Sequence, residues 1–265
     1  MSVGKRPLFP VALVAVLGGL TGAAAWLGVS GSPNGHAMSD WHGFVSSTIA
    51  AGTLDFRSVV TTTGASNSVE RATGVVDFSN REASEVSVVR GPGSPAQWNQ
   101  IVVVGGAAYE RPGTDHDGSG QFTGVWTPLS SFVLPPFAPL SGRSQAAALL
   151  GGPTLRFVTT ASIDGVPTTE YQLTPEGITC VRGNGDQRSE NVSSSIWVDG
   201  TGRIVQFVNL TAVAVTGVQS AVLTVTRFDR FGTAVAVDPP AQVSSAPAAI
   251  APVADPLAGC LLTPG

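Results

Sequence analysis

The sequence is short of charge. Asp, Glu, Lys and Arg make up 12% of its 265 residues, about half the share of an ordinary soluble domain. Fourteen basic residues stand against eighteen acidic ones, a net charge of −4, so the basic face of a nucleic-acid binder is missing. A hydrophobic share of 43% excludes a disordered chain. Lys5 is the single lysine. The three histidines, His36, His42 and His116, stand at no metal-ligand spacing, and the two cysteines lie far apart. A closed zinc site takes about four N or S ligands and finds none here. Neither a G-x-S-x-G elbow nor a phosphate-binding G-x-x-x-x-G-K occurs. Residues 114–120 (TDHDGSG) lack the third acidic position and the closing Glu of a calcium loop, and read as a solvated turn. Glu170 and Glu176 are the one candidate carboxylate pair, and on a β surface such pairs are ordinarily solvated. No catalytic residue, metal or cofactor is expected, and the chain reads as no enzyme.

Charge is absent altogether from Pro7 to Ser39. Lys5 and Arg6 precede an apolar run of 22 residues, Leu8 to Val29. A basic flank followed by such a run is an export signal. Ala23-Ala24-Ala25 supplies the small-residue site of a cleaved signal peptide, while the length suits a retained membrane span. Residues 1–29 are therefore a signal peptide or an N-terminal membrane anchor. By the positive-inside rule everything from about Ser30 onward lies outside the cytoplasmic membrane, anchored or secreted. No Cys precedes Cys180, which argues against lipidation at the end of the run. Residues 30–39 read as a linker, 40–240 as one domain, and 241–265 as an Ala/Pro-rich tail of little order.

What the sequence does have is turn residues, 32 Gly and 19 Pro, between segments of period-2 alternation. Residues 53–63, 69–79, 84–90, 98–104, 107–111, 154–163, 166–174, 192–198, 203–212 and 218–228 read as antiparallel strands, about nine or ten in all. Gly105-Gly106 and Asp164-Gly165 are hairpin turns. Helices are signalled at 142–150, capped by Ser141 and stopped by Gly151-Gly152-Pro153, and more weakly at 41–51. The stretch 127–140 holds four Pro, so it is no central strand and reads as an extended cover over an open face. Cys180 and Cys260 form an even pair in an exported chain, where a disulfide is permitted; two unpaired thiols are the alternative.

Several motifs resemble the LppX/LprG-type envelope lipoproteins of actinobacteria, within the wider LolA/LolB-like superfamily. They are Gly74-Val75-Val76-Asp77-Phe78, the run Val104 to Pro112 with Trp126 after it, and Asp164 to Tyr171. Further on come Ile196-Trp197-Val198-Asp199 with Gly202-Arg203, then Phe231-Gly232 before Val237-Asp238-Pro239-Pro240. They fall in order over about residues 45–240. The lipobox Cys of the family is lacking, and 178–191 is short and Gly-rich. The resemblance implies a mainly β fold, a single curved antiparallel sheet forming a half-barrel, with helices and the Pro-rich segment over its concave face. It further implies an envelope protein that binds or carries a lipid or other apolar ligand. Leu54, Phe56, Phe78, Val88, Phe157, Tyr171 and Leu173 are the expected lining residues, with ordinary core packing as the competing account of each. The alternative function is a non-enzymatic membrane-anchored structural, sensor or assembly module without a bound lipid.

Overall fold

The computed structural model describes residues 36–64, 67–129, 155–173, 177–181, 187–215, 218–244 and 261–264. Within them lie one helix, α1 (His36–Ala50), and fourteen strands. The first half holds β1 (Thr53–Thr63), β2 (Ser68–Asp77), β3 (Glu82–Arg90), β4 (Gln97–Val104), β5 (Ala107–His116), β6 (Ser119–Gln121) and β7 (Thr127–Leu129). The second holds β8 (Leu155–Ile163), β9 (Val166–Leu173), β10 (Gly177–Val181), β11 (Gln187–Asp199), β12 (Ile204–Val215), β13 (Val218–Asp229) and β14 (Leu261–Pro264).

Short turns set the register. Gly105-Gly106, Asp117-Gly118 and Asp164-Gly165 each take positive φ at both residues, the backbone that a two-residue hairpin needs to match strand twist. Strands β1 to β5 therefore meander outward from the middle of the sheet. Strands β8 to β13 meander inward from the other side, and β13 then pairs with β1 from Asp55↔Asp229 to Thr63↔Ala221. Strands β9 and β10 lie end to end along β11, with β8 outside β9 and β14 outside β10. At the opposite edge β7 and β6 lie end to end along β5. Pro128 sits in β7, an edge strand, where a missing N–H costs no ladder bond.

The two edges do not pair with each other among the described residues, so the sheet is open. It is nevertheless curved, and one core runs across its concave face, with Leu129 from one edge and Leu155 from the other packed against it. The fold is thus the expected half-barrel: one antiparallel sheet whose concave face is partly covered by α1.

Helix α1 lends Trp41, Phe44 and Val45 to that core and packs against β8 and β12. Thr48, fully buried, fixes it. Its hydroxyl donates to the Phe44 carbonyl at 2.7 Å and accepts from the Ile204 amide at 2.9 Å, so it satisfies the first backbone donor of β12. Gly52, at φ 82, ends the helix by donating to the Ile49 carbonyl. The turn before β12 is built around buried Asp199. One carboxylate oxygen accepts from the Thr201 amide, the Thr201 hydroxyl and the Arg203 amide, and the other from the Arg203 guanidinium. Burial alone would raise the Asp199 pKa, but these hydrogen bonds hold it below the usual carboxylate range.

Three expectations change. The helix read at 41–51 begins at His36, inside the stretch read as linker. The tail is not without order: β14 lies along β10, and Trp126 forms a parallel bridge with Val243. Strands β6, β7, β10 and β14 extend the sheet beyond the segments expected. The helix at 142–150, most of the Pro-rich stretch and all of 1–35 lie outside the described residues.

Thr48→Val keeps the side-chain shape and leaves the Ile204 amide buried without a partner. An equilibrium urea titration is expected to show a loss of about 1–3 kcal/mol, with Thr48→Ser losing less than Thr48→Val because the hydroxyl remains.

Candidate functional site: the concave face

Opposed residues in an antiparallel pair point to the same side of the sheet, so the ladder maps the concave face. Phe56 opposes Phe228 on one side and Gly74 on the other. Gly74 opposes Glu85, Glu85 opposes Ile101, and Ile101 opposes Glu110. Toward β9, Thr226 opposes Phe207, Phe207 opposes Ile196, and Ile196 opposes Tyr171.

Read along the strands instead of across them, this face changes character. The end under α1 is apolar and filled: Leu54 and Ile196 are 0% exposed, Ile204 1% and Phe207 2%. Further along come Ser58, Glu70, Ser87, Asn99, Glu110, Ser194, Asn209 and Thr224, set on the same face by the register. The Phe56 ring lies over Gly74, where an added Cβ would stand 2.6 Å from a ring carbon. The Ser84 carbonyl oxygen would be nearer still, so only glycine fits between ring and neighbouring strand at this point.

Of the expected lining residues, Leu54 and Phe56 belong to the buried core, and Phe78 and Tyr171 are half-buried against it. Tyr171 stacks on Phe44 of α1 at 5.2 Å between ring centroids. Phe157 opposes Tyr171 and meets its ring edge-on at 6.5 Å, yet it remains 60% exposed. The whole of β8 between its end residues is exposed. Leu173 closes β9 opposite Leu155 and Ser194. Val88 needs correction. The inward positions of β3 are Ala83, Glu85 and Ser87, so alternation puts Val88 on the convex face, between Arg71 and Trp98.

That convex face carries a second packed cluster over β4 and β5. Trp98 covers Gly113 and Gly120 and donates its indole N–H to Asp115 at 3.0 Å. The Arg111 guanidinium lies 4.5 Å from the Trp126 ring centroid and 5.7 Å from that of Phe122. Trp126 is held in turn by the chain at Gln242 and Ser244. On the same face, over β13, β1, β2 and β3, an open groove of about 580 Å³ is lined by Asp55, Arg57, Asp229 and Arg230 among others. Its charges pair internally, Arg57 with Asp229 and Arg230 with Asp55, which makes it a poor seat for an acyl chain.

The acids of the concave face escape a reading of the sequence that asks only for carboxylate pairs near in the chain. Glu170 opposes Trp197, on the face away from Tyr171, and Glu176 lies outside the described residues. Glu85 is the perturbed group. Burial, and then the charge of Glu70, push its pKa from 4.5 up to about 7, and burial also raises that of Glu70. The register alone would have found both, since Glu70 alternates with Ala72, Gly74 and Val76, and Glu85 with Ala83 and Ser87. No group of three His, Cys, Asp or Glu side chains that could hold a metal ion occurs among the described residues. Cys180 lies in β10 opposite Leu262 of β14; Cys260 lies outside the described residues.

A carboxyl with a raised native pKa binds its proton more tightly folded than unfolded, so stability is highest below the unfolded value and falls as pH rises toward the folded one. Melting temperature is accordingly expected to fall between about pH 4.5 and 7, an effect of the order of 1–3 kcal/mol. In Glu85→Gln that slope should flatten, and an unchanged slope would exclude Glu85 as its source. Separately, Gly74→Ala must displace both the Ser84 carbonyl of β3 and the Phe56 ring and is expected to cost about 1–3 kcal/mol or more in the same assay.

No protein-family model matches the chain, and no curated protein matches it.

Proposed function

We propose that the protein is a non-enzymatic envelope protein that binds or carries a lipid or other apolar ligand on the concave face of its half-barrel. The observation that carries this reading is Phe157. It stands 60% exposed on the concave side of the sheet, where the other described aromatic residues are buried or half-buried, next to Tyr171, which stacks on Phe44. An aromatic edge left open beside a packed core is a surface on which methylenes gain about 0.8 kcal/mol each on burial. The motifs resembling the LppX/LprG-type lipoproteins support the same reading, and so does the uncharged N-terminal run, which delivers the domain across the cytoplasmic membrane and either leaves it anchored or releases it.

A second reading has its own support. The α1 end of the concave face is filled to the point where Leu54 and Ile196 are fully buried, as a purely structural or assembly module held by an N-terminal anchor would have it.

Two measurements separate these. Organic extracts of the protein purified from its own envelope, analysed by mass spectrometry, are expected to yield a lipid in stoichiometric amount. Phe157→Ala is expected to weaken uptake of the neutral fluorophore N-phenyl-1-naphthylamine several-fold while leaving the melting temperature nearly unchanged, because an exposed side chain contributes little to the core. Absence of both lipid and uptake would leave the structural module as the reading.

A further inference from the structure

On strands β1 to β5 three carboxyl groups take register positions on the concave face, Glu70 on β2, Glu85 on β3 and Glu110 on β5. Around Glu85 the opposing positions are Gly74 and Ile101, neither of which offers a hydrogen bond from its side chain. The neighbouring inward positions are Ala83 and Ser87 on its own strand, Ala72 on β2, and Asn99 and Val103 on β4. The titratable groups facing it from the elements around it are thus Glu70 and Glu110. On β1, β4 and β13 the inward positions from Phe56 to Val60, Gln97 to Val103 and Thr224 to Phe228 carry no charge. Among the described side chains of α1 none is titratable. Every Arg of β1, β2, β3 and β5 falls on the convex face: Arg57, Arg71, Arg90 and Arg111. Around Glu85 the concave face therefore gathers negative charge with no cation on the inward positions of β1 to β5 or β13 to offset it, at the place where the apolar end gives way to the polar one.

We propose that Glu85 is a proton-operated gate on this face: with its proton, it lets an apolar chain extend along the strands beside Ile101, and without it, the chain is excluded. This rests on the ligand-binding reading above and adds its regulation. The physical reason is desolvation. An apolar chain laid against Glu85 strips water from the carboxyl, which is tolerable for the neutral acid and costly for the anion, the more so with Glu70 and Glu110 on the same face and no counter-charge.

The burial and neighbouring charge that raise the Glu85 pKa to about 7 put the changeover near neutrality. At pH 8, one unit higher, about one molecule in eleven would hold the proton, and apparent affinity would fall about tenfold from its value at pH 5.5. Loading is then strongest under mildly acidic conditions and release is favoured as pH rises.

Equilibrium uptake of N-phenyl-1-naphthylamine by the full chain, between pH 5.5 and 8.5, tests this. Wild type is expected to weaken about tenfold between pH 5.5 and 8, and about thirtyfold by pH 8.5. Glu85→Gln, which keeps the shape of the neutral acid, is expected to bind at every pH as wild type does at pH 5.5, and Glu110→Gln to retain most of the wild-type pH step. Uptake by wild type with no pH dependence, or the same dependence in Glu85→Gln, overturns the gate and leaves the binding reading standing. Absence of uptake at every pH overturns both. Glu85→Gln should also melt higher than wild type at pH 8, which shows that the variant is folded in any of these cases.

Discussion

Everything in this fold depends on one seam, the ladder between β1 and β13. Most neighbours within each half of the sheet are near in sequence, as β1 to β5 and β11 to β13 are, and only short edge strands such as β14 pair from farther away. The seam alone joins strands some 170 residues apart, as Ser58 to Thr226 or Arg57 to Asp229. Phe56 and Phe228, opposed across it, stand at the middle of the core, flanked by Phe207 on one side and Val76 on the other. Without the seam there would be two open sheets, each with an apolar face and nothing to close it. With it, one core runs from Leu129 at one edge to Leu155 at the other. Closing so long a loop costs entropy before any contact repays it, so the local meanders are the parts suited to form early and the seam late.

Much of this was legible in the sequence because the turns are chemically explicit. Gly-Gly and Asp-Gly pairs supply positive φ, and between them the alternation of Leu54, Phe56, Asp55 and Arg57 gives the limits of β1 to the residue. What could not be read were strands that exist only because another is already there. β6, β7, β10 and β14 are short pieces of edge, one of them containing Pro128, and their pairing depends on the long strands β5 and β11. The tail looked structureless for the same reason, since Val243 owes its bridge to Trp126 and not to its own neighbours.

The binding face was legible only in part. Alternation identifies Leu54 and Phe56 as inward, but a strand taken alone does not say which of its two faces is the concave one. In β3 two of the three valines, Val86 and Val88, face outward, and the polar positions Glu85 and Ser87 face in beside Ala83 and Val89. Hydrophobicity pointed the wrong way because the convex face is also covered there, by Trp98 and Arg111 with the segment around Phe122 and Trp126. The acids were overlooked for the converse reason: a carboxylate in a half-exposed strand is ordinarily a surface group, and only the register places Glu70 and Glu85 on the inner side.

That second, convex cluster gives the molecule a mechanical asymmetry. Over β4 and β5 the sheet is the middle layer of three, clamped between the core and the Trp98, Arg111 and Trp126 stack. Over β8 it is thinner: among the described residues this strand pairs only with β9, and its positions between the two ends are exposed. A curled sheet of uneven thickness bends where it is thin. The β5 side is therefore a fixed wall and the β8 side a compliant one, held at its tip by the Arg227–Asp164 pair at 3.2 Å. Any change in the width of the half-barrel falls on the side that carries Phe157.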